Sequence, residues 1–232
     1  VAAWLLYPIL FGKKKPRAPE EVTVRTDSAP NNLNIFMNGG HGPSTFIARQ
    51  IFPSLGDLDP KTLELNPMLI KAIPTVRELK DGPRKGQFAY DFEIIPEAVW
   101  DNGTPVTAND VAFTFKIVLL PGIPEVYRGY LTQLSGLEID PANPKKFSFY
   151  FSSFYILSID ALCSTPIYPA YNYDPNNRLA NLSLNDLLDP TKTATLSADE
   201  NLKAFVTEFG QPKFANDPNA ISGCGPYRLE LM

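Results

Sequence analysis

Trp100-Asp-Asn-Gly-Thr-Pro-Val-Thr-Ala-Asn-Asp-Val-Ala-Phe-Thr-Phe-Lys116 is the stretch from which the fold is read. Asp101-Asn102-Gly103 is a turn signal, because Asn and Gly tolerate the positive φ of a tight reversal. Thr107 then stands where a helix N-cap belongs. Its hydroxyl is placed to accept from the Asp110 backbone, and the Asp110 carboxylate to accept from the cap, as a short form of the capping box. The charge of Asp110 suits the positive end of the helix dipole. Apolar residues follow at 111, 112, 115, 118 and 119 and stop before Pro121, so the spacing predicts a helix over about 108–119.

Working outward, residues 88–95 and 73–78 read as strands joined by the turn Lys80–Gly86. Residues 137–140 and 146–151 read as a further pair turning between Pro141 and Pro144, with Phe147, Phe149 and Phe151 on one face. Upstream, 21–26 reads as a strand with Val22 and Val24 facing in. An apolar stretch occupies 31–37. Ser44 is the expected N-cap of a helix carrying Phe46, Ile47, Ile51 and Phe52. Downstream, a helix start is expected at Asp186, and a second capping box from Ser197 to Glu200 leads Leu202, Phe205, Val206 and Phe209.

The composition narrows the function. A chain of 232 residues with 44% hydrophobic content can bury a substantial core. Its net charge of −4 supplies no basic field for nucleic acid. The 23 prolines are about double ordinary usage and point to many short elements. Two cysteines and one histidine cannot build a zinc site. Cys163 and Cys224 either form a disulfide or are buried thiols.

Residues 100–116 also resemble the signature of the extracytoplasmic solute-binding proteins of family 5, the oligopeptide, dipeptide and nickel-binding partners of ABC importers. The matching positions are Trp100, Asp101, Gly103, Thr104, Pro105, Thr107, Ala108, Asp110, Val111, Phe113 and Thr114, with one Asn inserted before Gly103. Ile221-Ser-Gly-Cys-Gly-Pro-Tyr-Arg-Leu229 resembles the family's Gly-Thr-Gly-Pro-Tyr strand through Gly223, Gly225, Pro226 and Tyr227, with Cys224 in the Thr position. Weaker likenesses occur at Leu33-Asn34-Ile35, at Ile51–Leu55 and at Cys163–Pro169. The resemblance implies an α/β (mixed α+β) class: a type II periplasmic-binding-protein-like lobe with a mixed sheet and flanking helices. It covers about 21–231, and family members continue for about as many residues again. Both signatures are architectural in the family, so they identify a lobe and not a binding site.

Asn38-Gly39-Gly40-His41 is the candidate ligand-binding loop. Successive glycine N–H groups suit an anion nest and His41 adds a titratable ring, while the alternative is a solvated loop. The resemblance places this loop at the interlobe cleft. No Gly-Lys-Ser/Thr phosphate loop and no Gly-x-Ser-x-Gly elbow is present. The carboxylate pairs Asp57/Asp59 and Asp199/Glu200 stand in turn or cap contexts. Neither an enzyme nor a cofactor or metal is expected.

Residues 1–12 are almost wholly apolar and are followed by Lys13-Lys14-Lys15-Pro16-Arg17. Twelve residues are too few to span a bilayer, which takes about 20. Residues 1–20 are expected to be a membrane anchor or partner-docking arm with its linker, using Trp4, Leu5, Leu6, Tyr7 and Phe11, with an ordinary core strand as the alternative for the apolar run, and residues 21–232 a solute-binding-protein-like lobe. Two functions follow from the resemblance. One is a membrane-attached extracytoplasmic protein that binds a peptide or other small solute for an ABC permease. The other is a truncated relative serving as a non-enzymatic accessory or scaffold subunit of a membrane protein complex.

Overall fold

The computed structural model describes residues 23–125 and 128–230. The stretch around Trp100 folds as its sequence predicts. Helix α2, Ala108–Leu119, follows a turn in which Gly103 takes φ 82°, and Asp110 closes its first turn. The Asp110 carboxylate accepts from the Thr107 N–H at 2.9 Å and from the Thr107 hydroxyl at 3.2 Å. The Asp110 N–H bonds the Thr107 carbonyl, so the carboxylate half of the box carries the cap. Nine of the twelve helical residues are buried, so α2 is a central helix with a far wider apolar face than a single stripe.

Strands β3 (Arg77–Glu78), β4 (Phe88–Glu93), β5 (Leu134–Ile139) and β6 (Lys146–Phe151) form one sheet in the order β3-β4-β6-β5. Every described pairing in it is antiparallel. The register sets Tyr90 opposite Phe149 and Phe92 opposite Phe147. Period-2 alternation then buries Phe147, Phe149 and Phe151 together. Phe115 of α2 lies 4.6 Å from Phe149, ring centre to ring centre, which seats the helix on the sheet. The β1 (Gly56–Leu58) and β2 (Leu65–Pro67) hairpin is separate, its turn pinned by Asp59, which accepts from the N–H groups of Lys61 and Thr62.

A second aromatic centre gathers around Tyr168. Phe52 stacks on it at 4.2 Å, with Phe36 at 5.0 Å and Tyr173 at 4.8 Å. It joins helix α1 (Gly42–Ile51) to α4 (Ala170–Tyr173), α7 (Glu200–Phe209) and α8 (Lys213–Asn216). Helix α3 (Ser158–Ser164) leads into this centre, and the short α5 (Leu184–Leu188) and α6 (Thr193–Ala198) complete the chain. Phe113 of α2 meets Phe205 of α7, so α2 bridges the two halves of the core.

Several expectations are corrected. Residues 23–26 form no strand and Val24 is exposed, while Val22 lies outside the described residues. The apolar stretch 31–37 buries Leu33, Ile35 and Phe36 and ends in a turn at 35–37, with the Met37 N–H on the Asn34 carbonyl. Only 77–78 of the 73–78 run pair, as Pro74 brings no donor. Helix α1 starts at Gly42 with His41 as its N-cap, because Ser44 turns inward to accept from the N–H groups of Asn31 and Asn32. The second capping box is Ser183 to Asp186 at α5. Ser197 belongs to α6, and α7 is capped by Asp199 through the N–H groups of Asn201 and Leu202. Residues 221–230 run as irregular coil, not strand.

Candidate ligand-binding site

The loop 38–41 is built by two left-handed glycines, Gly39 at φ 65° and Gly40 at φ 83°, a geometry glycine adopts without steric cost. The Asn38 carboxamide oxygen accepts from the Gly40 N–H at 2.8 Å, and its Nδ2 donates to the Asn32 carbonyl at 3.2 Å. His41 caps α1 through Nδ1, which lies 2.9 Å from the Ser44 hydroxyl, and its Nε2 lies 3.4 Å from the Ser28 hydroxyl. The four residues are brought together at the head of α1, with Gly39 and Gly40 exposed. The Gly40 and His41 N–H groups are both engaged on Asn38, so the loop is tied to itself and is no open anion nest.

The architectural signature meets itself at the other end of α1. The Gly225 N–H bonds the Ile51 carbonyl at 2.9 Å and the Tyr227 N–H the Gln50 carbonyl at 3.3 Å, satisfying carbonyls that the helix end leaves open. A Cβ at Gly223 would stand 2.1 Å from the Ile51 oxygen, and one at Gly225 2.1 Å from the Gln50 oxygen. Both glycines are demanded by this close approach. The Asp101 N–H donates to the Gly223 carbonyl, and the Asp101 carboxylate accepts from the hydroxyls of Tyr171 at 2.9 Å and Ser222 at 2.6 Å. Tyr171 and Ser222 carry no sequence signal, since their role appears only when three distant segments meet.

The same motif ties α2 to the chain beyond α3. The Thr114 hydroxyl donates to the Asp110 carbonyl and accepts from the Tyr168 N–H, each at 2.9 Å. The Ala170 N–H donates to the Asp110 carboxylate at 3.2 Å. Burial pushes the Asp110 pKa up, against the pull of the donors from Thr107 and Ala170. The word Asp-Val-x-Phe-Thr is thus a clamp on residues 168–170.

Cys163 and Cys224 are free thiols, and no bridge joins them. Cys163 packs against Gly56 of β1, whereas Cys224 lines a 240 Å³ cavity with Ile51, Val99 and Asp101. Burial raises both thiols to about 12, leaving them protonated and unreactive at neutral pH. Trp4, Leu5, Leu6, Tyr7 and Phe11 lie outside the described residues. Among the described residues no cluster of His, Cys, Asp and Glu could hold a metal, and no helix is long and apolar enough to cross a membrane.

No curated protein matches the chain in sequence. Among solved structures it is similar to the oligopeptide binding protein from Thermus thermophilus complexed with pentapeptide, with TM-score 0.61 and 22% identity over 88% of this chain and 34% of that one. It is also similar to Listeria monocytogenes OppA bound to peptide, with TM-score 0.61 and 12% identity over 88% of this chain and 35% of that one. NikZ from Campylobacter jejuni in complex with Ni(L-His) gives TM-score 0.51 and 18% identity over 90% and 32%. The chain therefore spans about a third of the length of the solved structures it matches. At these identities the likeness is one of fold, a mixed arrangement of helices and sheet. Residues 81–231 match the family described as Bacterial extracellular solute-binding proteins, family 5 Middle. Through that match, which takes in both the α2 signature and the Gly223–Tyr227 segment braced against α1, the chain belongs to family 5 of the bacterial extracellular solute-binding proteins.

Proposed function

We propose that the chain provides a lobe, residues 21–232, of a membrane-attached extracytoplasmic protein that binds a peptide-class solute for an ABC importer. The observation that carries this is the family match over 81–231. Residues 1–20 serve as the anchor or docking arm. Loop 38–41 faces the solute, its exposed glycines allowing close backbone approach. Such proteins hold a ligand between lobes that close about a hinge. A single lobe supplies half a cleft, too little contact to offset the lost freedom of the ligand.

One observation favours a second reading, that of an accessory or scaffold subunit of a membrane complex: Asn38, Gly40 and His41 are already engaged in hydrogen bonds with Asn32, with Ser44 and within the loop. Thermal unfolding of the protein purified from its source, with and without a peptide library, separates the two. A transport role predicts saturable stabilisation, about 2.7 kcal/mol at 100 times Kd. No shift across the library contradicts it. Deleting residues 1–17 should release the protein from membranes, and retention after that deletion contradicts the anchor.

A further inference from the structure

The loop between β6 and α3 presents the most anomalous described surface. Phe154, Tyr155, Ile156 and Leu157 are four consecutive large apolar residues, exposed by 55%, 36%, 72% and 42%. Their base is fixed. The Ser152 N–H donates to the Gln133 carbonyl at 2.8 Å, and the Ser152 and Ser153 hydroxyls donate to Gln133 Oε1 at 2.9 and 3.0 Å. The Phe154 ring rests 5.9 Å from Phe88, and Ser158 is fully buried where α3 begins. The apolar tip is thus held out from the lobe between two anchored ends.

The chemistry of this tip fits a lipid surface. No charged residue occurs from Phe147 to Ile159, and hydrocarbon penalises every charge taken into it. Aromatic rings with a polar edge, here Tyr155 and the neighbouring exposed Tyr130, suit the headgroup level. Leu157 and Tyr130 share a shallow groove with one cation and one anion, Arg49 and Asp160. Arg49 is paired with Asp57 at 3.4 Å, so the groove offers no unpaired cation to an anionic headgroup. Contiguous exposed apolar surface of this kind marks an interaction site.

We propose that the Phe154–Leu157 tip inserts at the headgroup–acyl boundary of the bilayer and fixes the orientation of the lobe on the membrane. The proposal rests on the membrane attachment assigned above to residues 1–20. It adds a second contact, on the lobe itself.

The test uses the full chain with C224S and a single environment-sensitive fluorophore at I156C, on phosphatidylcholine vesicles with and without lipids carrying an acyl-chain quencher. The matched control carries the fluorophore at L63C, on the 73% exposed Leu63 of the β1–β2 turn. The expected result is a blue shift and quenching at position 156 and neither at position 63. I156D should lower vesicle partitioning about tenfold, since an inserted Ile side chain contributes at least that much, with the thermal midpoint unchanged. Vesicle binding with position 156 still in water overturns the proposal and leaves the anchor standing. Absence of vesicle binding overturns both. Burial of the probe on native membranes but not on pure lipid assigns the tip to a protein partner and overturns the lipid contact.

Discussion

Helix α1 has glycines at both ends, and the two pairs are there for opposite reasons. At its C-terminal end Gly223 and Gly225 press their backbone onto the last carbonyls, where a Cβ would stand 2.1 Å from oxygen. At its N-terminal end Gly39 has nothing within 4 Å of a Cβ, and it is the positive φ of Gly39 and Gly40 that asks for glycine. The first pair is required by packing between segments far apart in sequence. The second is required by a local turn whose outer surface is open. A glycine crowded by backbone reports architecture, whereas an exposed glycine held at positive φ leaves room for a ligand.

The largest expected effect follows from the crowded pair. Gly225→Ala forces the 223–227 segment off α1 and should cost about 3 kcal/mol or more, a fall of roughly 10 °C in the thermal midpoint for a chain of this size. A change within a degree or two would show that this contact is not rigid. Asp110→Ala comes next, at about 2 kcal/mol in denaturant titration, because it removes the cap of α2 together with the acceptor for the Ala170 N–H. Gly40→Ala should cost about 1 kcal/mol, the strain of a left-handed residue with a Cβ. If it proves as damaging as Gly225→Ala, the loop is architecture too and the contrast fails.

The pH dependence sharpens the same contrast. Burial raises the Asp110 pKa, so the folded state binds this proton more tightly than the unfolded chain. The sign is then fixed: stability falls as pH rises from the ordinary carboxylate range through the raised value. Asp110→Asn should flatten that slope in midpoint-against-pH curves. An unchanged slope would place its origin elsewhere.

Legibility of the fold followed the range of the forces involved. The α2 unit was readable from Trp100–Lys116 because turn, cap and helix stripe are local, and the three phenylalanines of β6 because their alternation is. His41 displaced Ser44 as the cap of α1 because Ser44 is claimed by Asn31 and Asn32, a contact that no local spacing shows. The coil at 221–230 was expected to be a strand from its resemblance to the family's Gly-Thr-Gly-Pro-Tyr segment, and the helix end it lies on is a contact between segments far apart in sequence. The four residues of loop 38–41 were nominated together and are brought together at the head of α1. The hydrogen bonds that close the loop on itself depend on backbone geometry that the glycines permit but do not announce.

The contrast between the two ends of α1 is tested most directly by titrating the source-purified protein with peptide and repeating the titration on Gly40→Ala at a temperature where both are folded. A solute-facing loop predicts saturable stabilisation of the wild-type protein and affinity weakened about tenfold or more in the variant, the equivalent of one lost contact of roughly 1.4 kcal/mol. Equal affinities in the two proteins, or no stabilisation of either, would contradict a ligand-facing role for the N-terminal end of α1.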